Sequence, residues 1–159
     1  MNNPHLHILL ADDDESDRLL FTEAFRAMKL RTEVHTVNDG VQLMAWLNRE
    51  DVTLPHLIFL DLNMPRKNGL ECLKEIRSNK ALSTISIAIY STSASEKDIS
   101  DTFINGANVY IKKPTDFAIL KKVLTQAVMA TYYYQEPPFN RDNFLLRIDG
   151  VPENTRKTQ

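Results

Sequence analysis

Five short apolar runs, at residues 6–11, 32–37, 56–60, 85–90 and 108–111, recur along the chain with longer, helix-patterned segments between them. No other feature limits the fold as strongly. Ile8-Leu9-Leu10, Leu57-Ile58-Phe59-Leu60 and Ile87-Ala88-Ile89 are continuously apolar rather than alternating. That is how strands read when helices bury both faces of a parallel sheet. Between the runs the apolar spacing turns to three and four. Leu19, Leu20, Ala24 and Ala27 mark a first helix, and Val41, Met44, Ala45 and Asn48 a weaker second. Leu70, Leu73 and Ile76 mark a third, and Ile99, Phe103 and Ala107 a fourth. Ile119, Leu120, Val123, Leu124, Ala127 and Val128 mark the fifth and strongest. Strict alternation of strand and helix implies right-handed crossovers and a doubly wound α/β sheet.

The punctuation agrees. Ser95 with Asp98 has capping-box spacing at the start of the fourth helix, and Gly106 stands where that helix should stop. Pro65, Asn68 and Gly69 make a turn after the third strand. The rhythm breaks after Tyr134, where Pro137-Pro138 ends any helix and 139–148 carries Phe144, Leu145, Leu146 and Ile148. The reading is one domain over 1–134 and a C-terminal arm over 135–159.

A length of 159 residues suits one domain with a real core. A formal net charge of -2, with no basic run, argues against nucleic-acid backbone binding as the main activity. Cys72 has no second cysteine to pair with, which fits a reducing compartment. The N-terminus lacks signal-peptide character, and no apolar stretch is long enough to span a bilayer. The expectation is a cytoplasmic protein that binds no membrane.

Sites in open parallel sheets form at the carboxyl ends of the strands. Here the first strand ends in Asp12-Asp13-Asp14, the third in Asp61, the fourth in Ser91-Thr92 and the fifth in Lys112-Lys113-Pro114. Carboxylates gathered in one crevice repel one another, and a hard divalent cation with a nearby lysine would relieve the repulsion. Such a set suits phosphoryl transfer, with a carboxylate able to accept the group as an aspartyl phosphate. Plainer roles compete. Asp14 serves as a helix cap, with Asp17 at capping-box distance. Asp61 could cap a turn, and Ser91 and Thr92 could cap a helix. Tyr110 reads as core on composition. Neighbouring strand residues face opposite ways, so one of Lys112 and Lys113 enters the crevice and the other is solvated. His5, His7, His35 and His56 show no metal-ligand spacing, Cys72 reads as a small packed hydrophobe, and Tyr132-Tyr133-Tyr134 as the amphipathic end of the last helix in preference to an interface.

The stretches Leu10-Ala11-Asp12-Asp13-Asp14, Phe59-Leu60-Asp61-Leu62-Asn63-Met64-Pro65 with Asn68-Gly69, Ser91, and Tyr110-Ile111-Lys112-Lys113-Pro114 together resemble the receiver domains of two-component response regulators. The resemblance spans roughly 6–129. It implies a flavodoxin-like five-stranded parallel sheet of order 2-1-3-4-5 with five helices. Position by position, it makes Asp61 the phospho-acceptor and Asp12 and Asp13 the Mg²⁺-holding pair, with Asp13 the direct ligand. Asn63 lends a backbone carbonyl to the metal, Lys113 pairs with the phosphoryl group, and Ser91 and Tyr110 are the switch residues. A sensor histidine kinase would be the donor and a downstream protein the target. The run 61–69 resembles the single-domain regulators that partner phytochromes, which often carry longer C-terminal arms; segment 139–148 would then pack along its own domain or add to a homodimer contact, with a loosely docked terminus as the competing reading. Thr92 departs from the very small residue usual after the switch hydroxyl, which bears on donor access and phosphoryl lifetime. The length leaves no room for an output domain, so output is expected as protein binding. A haloacid-dehalogenase-like phosphatase would want an acid where Asn63 stands. A flavodoxin-like cofactor binder would meet repulsion from Asp12–14. A constitutive binding module would have no use for the full set.

Overall fold

The computed structural model describes residues 5–133 and 144–146. The elements alternate as expected: β1 (Leu6–Ala11), α1 (Glu15–Ala27), β2 (Thr32–Val37), α2 (Gly40–Leu47), β3 (Leu57–Leu60), α3 (Gly69–Ser78), β4 (Ser86–Ser91), α4 (Glu96–Ile104), β5 (Val109–Lys112) and α5 (Phe117–Val128), which runs on into a π-helical turn, Met129–Tyr133. The sheet order is β2-β1-β3-β4-β5, and every pairing is parallel. The central strands are buried on both faces, which is why they read as unbroken apolar runs.

The side-chain alternation of each strand divides the core in two. Leu9, Ala11, Ile58, Leu60, Ile87 and Ile89 face α2, α3 and α4, with Leu43, Leu73 and Ile99 against them. Ile8, Leu10, Phe59 and Ala88 face α1 and α5, packing on Phe21, Phe25, Leu120 and Leu124. No helix among the described residues is long and apolar enough to cross a membrane.

Two helices sit in a different phase from the sequence expectation. In α1, Leu19 and Leu20 are 61% and 49% exposed, whereas Phe21, Ala24 and Phe25 are buried. The helix starts at its cap: Asp14 accepts the Asp17 N–H at 2.9 Å, and that start aims Phe21 and Phe25 at the sheet. There they meet Phe59 edge-on at 4.9 and 5.9 Å between centroids. In α2 the buried residues are Gly40, Leu43, Met44 and Leu47, while Val41, Ala45 and Asn48 are exposed. A Cβ at Gly40 would lie 2.1 Å from the Lys67 carbonyl, so this glycine lets the helix start close against the loop before α3. In α4, Ile99 is buried and Phe103 half-buried, but Ala107 lies beyond the helix, which stops at Ile104 ahead of Gly106 at φ 96°. Ser95 caps it, but Asp98 turns to the Ser93 hydroxyl at 2.6 Å instead of closing a box. A full capping box stands at Asn68 and Glu71.

The boundary at 134/135 and most of segment 139–148 lie outside the described residues, as do Tyr134 and the side chains of Tyr132 and Tyr133. Residues 144–146 lie along the outer edge of β5. Leu145 bridges Tyr110 in parallel, and the Leu146 N–H donates to the Tyr110 carbonyl at 3.0 Å. Phe144 is fully buried against Phe103 of α4 and Tyr110, with centroids 5.3 and 6.0 Å away.

Candidate functional site

The carboxyl ends of β1, β3, β4 and β5 meet in one crevice. Asp12 is fully buried; its Oδ1 accepts the Asp14 N–H at 2.9 Å, and its carbonyl accepts from Arg18 at 2.8 Å. Asp61 is buried beside it, with its N–H bonded to the Ala11 carbonyl at 3.0 Å. Asp13 is exposed at the mouth. Carboxylate oxygens of Asp12, Asp13 and Asp61 all lie within 4.8 Å of one another, the one such group of His, Cys, Asp and Glu found among the described residues. Lys113 reaches in from β5. Its Nζ stands 2.7 Å from Asp12, 2.8 Å from Asp17 and 3.5 Å from Asp61, over the Tyr90 ring at 5.3 Å. Lys112 is exposed, as strand alternation requires.

The electrostatics follow from this crowding. Burial first, then the neighbouring carboxylates of Asp12 and Asp13, push Asp61 up to about 6 against the pull of Lys113. Burial likewise raises Asp12, opposed by Lys113 and the Asp14 N–H. Burial works against the Lys113 charge, but bonds to Asp12 and Asp17 and the attraction of Asp61 outweigh it and hold the lysine above its ordinary range. Three acids and one ammonium leave an excess of negative charge. With their oxygens converging, this donor set fits a hard divalent cation.

The loop after β3 is shaped to hold Asp61 in place. Arg66 sits in the left-handed region at φ 70°, and the Gly69 N–H returns to the Leu62 carbonyl at 3.0 Å. A Cβ at Gly69 would lie 2.2 Å from the Asp61 carbonyl, so glycine allows the start of α3 to press on the Asp61 backbone. The Asn63 N–H approaches Asp61 Oδ1 at 3.4 Å. Ser91 is buried at the end of β4, its hydroxyl accepting the Ser93 N–H at 3.1 Å and its carbonyl the Lys113 N–H at 2.8 Å. Tyr110 points inward, fully buried, and its hydroxyl donates to the Ser93 carbonyl at 2.8 Å. Thr92 is exposed at the rim.

Asp17 has a second role that its cap spacing conceals. Only its backbone serves the cap of α1; its carboxylate crosses to Lys113. Asp17, Phe21 and Phe25 recur every four residues on the sheet-facing side of α1. An acid opening an inward stripe is the signal, and Leu19 and Leu20 hide it by offering a competing stripe. The histidines do gather, although not as ligands. His5, His7 and His56 stack in a row at 5.7 Å spacings at the opposite end of the sheet, with the His7 N–H donating to His56 Nδ1 at 3.0 Å. Cys72 is buried with its thiol pushed up to about 11 by that burial, which suits a packed hydrophobe.

A buried acid just after β3, two acids after β1, a hydroxyl at the end of β4 and a lysine after β5 define a receiver. The family model for the response regulator receiver domain matches residues 8–125, and the chain belongs to that family. It is 33% identical over 127 residues to the response regulator Rcp1 of Synechocystis, covering 77% of this chain and 86% of that one. In structure it is similar to the phosphorylated cyanobacterial phytochrome response regulator RcpA, with a TM-score of 0.75 at 33% identity over 84% of this chain and 98% of the other. It is similar also to the Mn²⁺-bound form of Rcp1, with a TM-score of 0.72 at 29% identity over 85% and 99% of the two chains. The chain is thus a receiver homologous to phytochrome-partner response regulators, and its Asp12, Asp13 and Asp61 pocket is consistent with a phospho-acceptor beside a metal site.

Proposed function

We propose that Asp61 accepts a phosphoryl group from the phosphohistidine of a sensor kinase of the phytochrome type, and that the signal leaves as phosphorylation-dependent protein binding. The observation that carries this reading is the convergence of Asp12, Asp13 and Lys113 on the buried Asp61 carboxylate. Mg²⁺ held by Asp12, Asp13, Asp61 and the Asn63 carbonyl would neutralise phosphoryl oxygens as the group transfers. An Asp61 oxygen attacks phosphorus, the phosphorus–nitrogen bond of the donor breaks, and the imidazole leaves with the bonding pair. Lys113 pairs with one phosphoryl oxygen, and the Ser91 hydroxyl, released from Ser93, bonds another. Catalysis here is the receiver's own phosphorylation and its slow reversal, with Thr92 at the rim limiting access.

Output follows as a population shift. Ser91 and Tyr110 both bond to Ser93, so movement of one bears on the other and on the face of α4, β5 and α5. That face binds the downstream protein. The arm at the β5 edge bears on the same face, packed along its own domain or entering a homodimer contact. Phosphotransfer from an autophosphorylated phytochrome-type kinase tests the reading. Label should move to the wild type and not to Asp61→Asn; equal labelling of both would place the acceptor elsewhere.

A further inference from the structure

Resting on the assignment of Asp61 as acceptor, we propose that Asp17 is a positioning residue: it holds the Lys113 ammonium in the resting protein and competes for it with the incoming phosphoryl group. Lys113 Nζ lies 2.8 Å from Asp17 Oδ2, a full hydrogen bond, but 3.5 Å from Asp61 Oδ2. The lysine side chain is only 8% exposed, so water offers its ammonium little alternative. Each proton committed to Asp17 is withheld from the phosphoryl position.

Asp17 differs from the other acids around the lysine. Asp12 and Asp61 belong to the group of three whose oxygens converge, and Asp17 lies outside it. A cation seated among those three would draw charge from Asp12 and Asp61 and leave Asp17 as the lysine's strongest remaining competitor. The carboxylate is also firmly placed. Its backbone N–H is tied to Asp14, and one turn on Phe21 locks the helix against Phe59 and Tyr90. Transfer of the ammonium from Asp17 to a phosphoryl oxygen therefore needs rotation of the lysine side chain and no movement of α1. Asp17 is 32% exposed, so its hold is that of a part-solvated ion pair, worth about three- to tenfold in an equilibrium. This sets the direction. Removing the carboxylate frees the lysine and lessens repulsion of the incoming anion, so the phosphorylated state gains.

The test is titration of the full chain with beryllofluoride at saturating Mg²⁺, following bound fluoride by ¹⁹F NMR. Asp17→Asn keeps the shape and the backbone bond of the cap, and should lower the half-occupancy concentration about three- to tenfold. Asp17→Glu, which still carries the charge within reach of the ammonium, should return it toward the wild-type value. Glu15→Gln removes a charge from the same helical turn with no contact to the lysine, and should stay within about twofold. Unchanged or weaker binding by Asp17→Asn would overturn the proposal, as would an equal gain from Glu15→Gln, which would mean that charge alone acts. A wild type that takes up no beryllofluoride would sink the acceptor assignment itself and this inference with it.

Discussion

Replacing Phe144 with alanine asks whether the β5-edge segment is part of the core or a docked addition to it. Phe144 is fully buried, and truncating a core phenylalanine ordinarily costs about 3–5 kcal/mol. That figure assumes that the cavity cannot be escaped. Here the segment can leave the edge, so the loss is capped by what docking contributes. Burial of the ring gives about 1.5–3 kcal/mol. Each of the two edge-on pairs with Phe103 and Tyr110 adds about 0.5–1.5 kcal/mol, and the Leu146 N–H bond to Tyr110 a similar amount. Against this, fixing three residues costs about 1–2 kcal/mol each. At midrange values the balance is a docked state favoured by about 1 kcal/mol, which alanine would erase. Urea unfolding of Phe144→Ala should therefore show a loss below about 3 kcal/mol. Amide exchange at Leu146 should rise about fivefold, while β1 and β3 amides keep their relative protection. A loss of about 4–5 kcal/mol with Leu146 still protected would refute the reasoning and make the segment integral core.

Asp61→Asn should stabilise the protein in the absence of metal. Its carboxyl is raised from 3.8 to about 6 by burial, so at a pH of about 8 the buried charge opposes folding by up to about 3 kcal/mol, and the unfolding free energy of the variant from urea titration should rise by about 1–3 kcal/mol. The same shift fixes a pH dependence. Between about 4 and 6 the native state holds a proton that the unfolded chain has released, so wild-type stability should decline as pH rises through that window, and Asp61→Asn should flatten that decline. Metal binding should run the other way, weakening as pH falls through about 6, read by Mn²⁺ titration; affinity unchanged from about pH 8 to about pH 5 would remove Asp61 from the ligand set. Gly69→Ala should cost about 1–3 kcal/mol despite alanine's helix preference, and should slow phosphorylation, because its Cβ meets the Asp61 carbonyl.

The strands are legible in the sequence because burial on both faces leaves an unbroken apolar run, and β1 and β2 begin and end where the runs do. The crevice is legible for the same reason. Once the strands are placed, Asp12, Asp13, Asp61, Ser91 and Lys113 fall at their carboxyl ends, and the family match orders them. Helix phase is not legible. Leu19 and Leu20 are as apolar as Phe21 and Phe25, and what chooses between the pairs is the cap at Asp14 together with the aromatic surface of Phe59 and Tyr90, which comes from distant strands. The phase matters for function, since Asp17 reaches Lys113 only from the phase that the helix adopts. The apolar pattern around 144–148 fits a docked segment and a loose terminus alike, and the seat of 144–146 depends on β5 being the outer strand beside α4.

Intact mass after incubation with acetyl phosphate, with and without Mg²⁺, on the wild type and Asp61→Asn, bears most directly on the central claim. One phosphoryl addition to the wild type, dependent on Mg²⁺ and absent from Asp61→Asn, is the predicted result. Addition to Asp61→Asn at the wild-type level, or addition indifferent to divalent cation, would contradict it.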